Sequence, residues 1–372
     1  MRTTAVAGLV LANANDNLLK KLTSNRSMAS VPYGARYRLI DFSLSNLVNA
    51  GITNVGIITK ENYRSLMDHI GSGYHWDLDR KNGGVHILPP YVTRGARRYS
   101  GTVDALNGAQ DFIKHCKSEY IVICNADVLA NVDLKAALKA HVAKKADVTI
   151  IYNRGSVPVN PSETMHLSLA KNDKVSLIGF DSEGGKNVPF SIGITIIGRE
   201  LLQKLINEAA ENDLESFNRD VLSAKVKQLK IYGFEHNGYV TFMNGTKGYF
   251  KASMDLLNPE IRSQVFNKER PVYTKTRDDM PTRYGTKAQV KNSLIADGCV
   301  INGTVKNSIL FRGVKVEKGT VIENCILMQE TVVGKDACLE YVIADKNASI
   351  GEGMVLKGTA SKQFVVAKNQ TL

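Results

Sequence analysis

Over roughly the first two thirds of the chain, short apolar runs alternate with amphipathic stretches. Val6 to Leu11, Val55 to Thr59, Tyr120 to Cys124, Val148 to Tyr152 and Ile192 to Ile197 are β-branched or aliphatic, and runs of this length suit buried strands. Between them, Ser43 to Ala50 sets Leu44, Leu47 and Val48 on one face with Gly51 placed to end it, which predicts a helix. Strands and helices in alternation predict a mixed, largely parallel, Rossmann-like α/β sheet, whose ligands bind at the carboxyl ends of strands. This unit is expected over residues 1–258. From Pro259 to Ala288 Lys, Arg, Asp, Thr and Pro dominate, around Arg270-Pro271 and Met280-Pro281, and 259–288 reads as a linker.

Residues 289–372 have a different period. Aligning Asn292-Ser-Leu-Ile, Asn307-Ser-Ile-Leu, Asn324-Cys-Ile-Leu and Glu340-Tyr-Val-Ile gives offsets of 15, 17 and 16. A second row, Ile301, Val316, Val333 and Ile350, is spaced 15, 17 and 17. Each member opens a six-residue unit such as Val316-Glu-Lys-Gly-Thr-Val. One inward apolar residue per six, with Gly or Asn at the corners, predicts a left-handed parallel β-helix of about 18 residues per turn.

Composition narrows the class. The chain has 372 residues, 43% hydrophobic and 23% charged, which excludes disordered, collagen-like and coiled-coil proteins. No uncharged apolar run is long enough to span a bilayer, so no membrane partner is expected. Arg2, the apolar stretch Ala5 to Leu11 and Ala12-Asn13-Ala14 mimic a secretory signal, but the stretch is short and weakly basic at its start, so it reads as a buried first strand of a cytoplasmic protein. Five cysteines, odd in number and without a CxxC pair, read as reduced core thiols. The net charge of +12 points to an anionic partner, yet its basic residues are scattered without an aromatic-interleaved stripe, so small phosphorylated ligands fit better than nucleic acid.

The motifs then separate the candidates. Arg26-Ser-Met-Ala-Ser-Val-Pro-Tyr-Gly-Ala-Arg-Tyr-Arg-Leu-Ile-Asp-Phe-Ser-Leu-Ser-Asn46, followed by Asn49 to Gly56, closely resembles the glucose-1-phosphate adenylyltransferase (ADP-glucose pyrophosphorylase) family. His69 to Trp76, Gly101 to Leu106, Ser191-Ile-Gly-Ile194, Ser216 to Asp220 and Tyr249 to Leu257 extend the likeness over nearly the whole chain. The resemblance implies transfer of the adenylyl group of ATP to glucose 1-phosphate, giving ADP-glucose and pyrophosphate for glycogen synthesis, with Mg2+ as cofactor.

Several positions depart from that family. Its glycine-rich loop reads here Leu11-Ala12-Asn13-Ala14-Asn15-Asp16-Asn17-Leu18, so Asn13 and Ala14 add Cβ atoms, Asp16 adds a negative charge and Leu18 replaces an arginine. Met28 stands where the family has its catalytic lysine, and Glu183 where a lysine grips the sugar phosphate. Of the two aspartates that hold magnesium, Asp127 remains and Met243 replaces the other. Ser191 and Gly193 match the substrate-binding segment. Each loss costs a few kcal/mol of transition-state stabilisation, at about 1.36 kcal/mol per tenfold in rate. The pattern resembles the family's D-type subunit, which is non-catalytic and modifies a catalytic paralogue, and implies a regulatory subunit in a heterotetramer or with itself. The other reading is an active adenylyltransferase with a divergent site that depends on Asp127 and magnesium.

Arg36 and Arg38 lie in a segment that in the family contributes to binding anionic effectors; they are either such a site or solvent-facing arginines paired with acids. Arg94, Arg97 and Arg98 form a denser basic cluster. None of the seven histidines lies beyond the linker, which argues against a hexapeptide acyltransferase with a histidine base.

Overall fold

The computed structural model describes residues 6–12, 16–90, 101–155, 164–180 and 187–372. Strand β1 (Val6–Leu11) is buried along its whole length, as its unbroken apolar run requires. It lies between β4 (Asn54–Ile58) and β6 (Tyr120–Asn125), parallel to both, and β5 (Gly84–Leu88) extends the parallel set beyond β4. On the far side β11 (Val188–Gly198) runs antiparallel to β6, to β8 (Val148–Gly155) and to β9 (His166–Leu169). Strand β10 (Val175–Gly179) pairs with β9, and β12 (Ile231–Glu235) runs parallel to β8, completing a mixed nine-stranded sheet. A hairpin of β2 (Pro32–Tyr33) and β3 (Tyr37–Arg38) and a pair of β7 (Val128–Ala130) and β13 (Val240–Phe242) stand apart from it.

Helix α1 (Leu39–Asn49) starts earlier than the apolar spacing indicates, because Arg38 N–H donates to Asp41 Oδ2 at 2.9 Å and caps the first turn. It is followed by α2 (Arg64–Ile70), α3 (Thr102–Gly108), α4 (Gln110–His115), α5 (Leu134–Ala143), α6 (Arg199–Glu211) and α7 (Gly245–Asp255).

The segment 259–288 is not a plain linker. Asn258 accepts from Glu260 N–H and Pro259 opens helix α8 (Pro259–Val265), a capping signal that is easily mistaken for a breaker. Beyond it the chain is pinned to the N-terminal unit: Asn49 Nδ2 donates to Pro271 O at 3.0 Å, Tyr273 N–H to Ser45 Oγ at 2.8 Å and Asn131 Nδ2 to Arg270 O at 2.8 Å. Arg283–Tyr284 already belongs to the first coil of the repeats, ahead of residue 289.

The repeats form three five-stranded parallel sheets, a parallel β-helix. The inward row Ile301, Val316, Val333 and Ile350 is in register as expected. The other row needs a one-residue correction, since Ile326 pairs with Ile343 and so Asn324 aligns with Tyr341, not Glu340. The corner is left-handed in the first four of the five coils, at Asn292, Asn307, Asn324 and Tyr341, with φ of 46°, 45°, 52° and 51°; the aromatic residue hides the signal that asparagine gives elsewhere. Successive Ile-Leu pairs in this third sheet are apolar at both positions because both faces are covered. Leu310 and Leu327 face the β-helix interior, whereas Ile309, Ile326 and Ile343 join Val31, Tyr33, Phe42, Tyr249 and Phe250 in a core shared with the N-terminal unit.

Candidate functional site

Strands β1 and β6 end together, with Ala126 N–H donating to Leu11 O at 3.1 Å. Asp127 occupies the turn that follows, before β7. Pairing of β7 with β13 brings Met243 alongside, and its N–H donates to Asp127 O at 3.1 Å. Met28 lies in a 3₁₀ turn, Met28–Ser30. The two methionines are 1% and 2% exposed and belong to the same apolar core, with Leu19, Leu22 and Leu129; Leu18 packs on its edge. Ser191 and Gly193 sit at a bulge of β11. Gly193 has φ +70°, and a Cβ there would fall 2.9 Å from Asn125 Nδ2. The Ser191 hydroxyl accepts its N–H at 3.2 Å. Asn13, Ala14, Glu183, Arg94, Arg97, Arg98 and the side chain of Asp16 lie outside the described residues.

A second constellation lies where the N-terminal unit, the pinned segment and the β-helix meet. Arg36, Arg38, Lys275, Arg277, Arg312 and Lys346 line a cavity of about 270 Å³, against the acids Asp68 and Glu330. Arg38 donates to Ser65 O at 2.6 Å and to its hydroxyl at 3.0 Å, and burial lowers its pKa to about 10. His69, buried against Asp41 Oδ1 at 2.6 Å, is held below its usual pKa mainly by desolvation. Arg312 is 4% exposed, yet its Nε and Nη2 have no hydrogen-bond partner among the described residues; Asp279 and Asp297 stand 3.8 Å from Nε. Buried guanidinium donors left without acceptors are costly, and an anionic oxygen would satisfy them. Nearby, Arg26 grips Asp345 through two hydrogen bonds of 2.8 and 3.0 Å, both side chains at most 3% exposed.

The Nucleotidyl transferase family matches residues 7–163, and the GlmU-like, C-terminal hexapeptide family matches residues 279–366. The chain is 35% identical over 362 residues to Glycogen biosynthesis protein GlgD of Bacillus subtilis (strain 168), covering 97% of this chain and 95% of that one. It is 33% identical over 367 residues to Glucose-1-phosphate adenylyltransferase of Bacillus mycoides (strain KBAB4), covering 96% of each. With the enzyme of the same name from Clostridium perfringens (strain 13 / Type A) it shares 31% over 379 residues, covering 99% of this chain and 96% of the other. The chain belongs to the glucose-1-phosphate adenylyltransferase family.

For a glucose-1-phosphate adenylyltransferase family member, the donors around Asp127 do not fit magnesium. A hard cation takes oxygen ligands, whereas Met243, whose backbone N–H meets the Asp127 carbonyl, carries a buried thioether. Among the described residues no cluster of three or more His, Cys, Asp or Glu could hold a metal.

Of the cavity's cations, sequence reasoning found Arg36 and Arg38 and missed Lys275, Arg277, Arg312 and Lys346. A signal was available for two of them. Asp297, Arg312, Gln329 and Lys346 are spaced 15, 17 and 17, in phase with the apolar rows, and the left-handed residues that follow them, Gly298, Gly313, Glu330 and Asn347, mark one corner of successive coils. Backbone hydrogen bonds tie that corner together: Gly313 N–H to Asp297 O, Glu330 N–H to Arg312 O and Asn347 N–H to Gln329 O.

Proposed function

We propose that this chain is a regulatory, catalytically impaired subunit of a bacterial ADP-glucose pyrophosphorylase, acting in the cytoplasm with a catalytic homologue to support ADP-glucose synthesis for glycogen. The supporting observation is the burial of Met28 and Met243 in one apolar core, at positions where the family resemblance places a lysine and the second aspartate. A buried thioether neither neutralises phosphate charge nor suits magnesium, so in this reading a cation for the phosphates and a metal ligand are both missing. What the chain keeps is the scaffold and a strongly basic cavity where its units meet. In this reading the cavity takes a small anionic effector, and its occupancy biases the assembly, a heterotetramer, through contacts that the catalytic subunit shares.

The test measures ADP-glucose formed from ATP, glucose 1-phosphate and Mg2+ by the chain alone, by its catalytic homologue alone and by the mixture. The expected result is no turnover alone and an altered rate or effector response in the mixture. Turnover by the chain alone that vanishes in Asp127→Asn would establish instead an active enzyme with a divergent site.

A further inference from the structure

Lys346 is the member of the basic cavity whose surroundings differ most from those of an ordinary lysine. Its sequence neighbour Asp345 is spent: both carboxylate oxygens are taken by Arg26, and Oδ1 also accepts the Lys346 backbone N–H at 2.7 Å. The groups around its ammonium are mostly cationic. From the hairpin and the start of α1 come Arg36 and Arg38, from the segment before it Arg26, and from the β-helix Arg312 and Lys368. The pinned segment adds Lys275 and Arg277. Opposing them are Asp68 at the end of α2 and Glu330 on the neighbouring coil, both exposed, and His69, which its buried position keeps largely neutral near pH 7. The corner stacking makes this crowding unavoidable, since Arg312, Gln329 and Lys346 occupy equivalent places in successive coils.

We propose that anion capture in this cavity is coupled to protonation of Lys346, so that the empty cavity holds a neutral amine at neutral pH and the filled one an ammonium. The inference rests on the reading of the cavity as an anion site and adds its regulation by pH. Desolvation first, then Arg38 and Arg26, bring the Lys346 pKa down to about 6. An anion entering among the same guanidinium groups reverses the sign of the local field and removes the reason for that depression. Binding then takes up a proton at every pH between the empty-state and filled-state pKa values. Over that range affinity falls with rising pH, by at most about tenfold per unit for one linked proton. Below about pH 6 the amine is already charged, and this dependence disappears.

Sulfate is the suitable probe, because its own charge does not change over the range. Its binding to the full chain is measured by isothermal titration calorimetry from pH 6 to 9 at constant ionic strength, in buffers of different ionisation enthalpy, which counts protons taken up. The proposal expects uptake approaching one proton per sulfate near pH 7.5 and an affinity that declines with pH. Lys346→Arg, which stays charged, and Lys346→Gln, which cannot be charged, are each expected to bind sulfate with little proton uptake and a flattened profile. Sulfate binding by the native chain without proton uptake would overturn the coupling while leaving the anion site standing. No sulfate binding at any pH would remove the anion site itself, and a profile unchanged in both variants would assign the proton to another group.

Discussion

Met28 and Met243 stand where the family resemblance places a lysine and an aspartate, and both are held by apolar packing. Both side chains are apolar, flexible and buried, and they fill the space between the turn at Leu19 and Leu22 and the β7–β13 pair. Restoring the family's lysine by Met28→Lys would put an ammonium into that core without a partner. The expected outcome is no ADP-glucose formation together with a loss of several kcal/mol of stability, read from urea unfolding. Turnover from this single variant would mean that the loop and metal position matter less than argued. Lys346 carries a prediction at the same scale. Its pKa is about 6 in the folded chain and near the ordinary lysine value when unfolded, so between those pH values the unfolded state binds more protons. Stability of the anion-free chain should therefore rise with pH above about 6 on account of this group, and be flat in it below. Lys346→Met should raise stability at neutral pH and reduce that slope, checked by denaturant midpoints across pH.

At the scale of elements, the segment that opens with Arg26 is held by contacts from far along the chain. Its family motif is legible from the sequence, but its partners are not: Asp345 lies 319 residues on, and Tyr249 donates to Pro32 O at 2.7 Å from across the chain. Arg26 and Asp345 tie this segment to the fourth coil of the β-helix. Arg26→Ala would strand a buried carboxylate, and about 3–5 kcal/mol should be lost. A second transition in unfolding followed by intrinsic fluorescence and circular dichroism together would show that the pair also couples the two units. Equal midpoints with no change in stability would show that it contributes nothing. Helix α8 and the pinned stretch after it make the same point about reading elements: the polar, Pro-containing composition of 259–288 predicts a linker, whereas the Asn258 side-chain cap and hydrogen bonds to Ser45, Asn49 and Asn131 give that segment a fixed course.

Across the whole molecule, the two units are joined through a shared core and a shared cavity. The alternation of strands and helices, the period of the β-helix and the family motif were all written in local order, because each depends on residues a few positions apart or on a repeat of fixed length. The departures from the family motif at the loop, at Met28 and at Met243 are legible in the same way, position by position. That Met28 and Met243 share one core with the outward face of the third sheet could not, since long-range packing chose which face of Ile309, Ile326 and Ile343 meets them. Nor could the cavity be read, for its six cations come from positions 36, 38, 275, 277, 312 and 346. Arg36 and Arg38 stand out only through the family resemblance and Arg312 and Lys346 only through the repeat spacing, while Lys275 and Arg277 are unremarkable in their own stretch of sequence. Only the stacked corner of the β-helix, set against the start of α1, confines them to one small volume, where mutual repulsion and desolvation give them a property that none has alone.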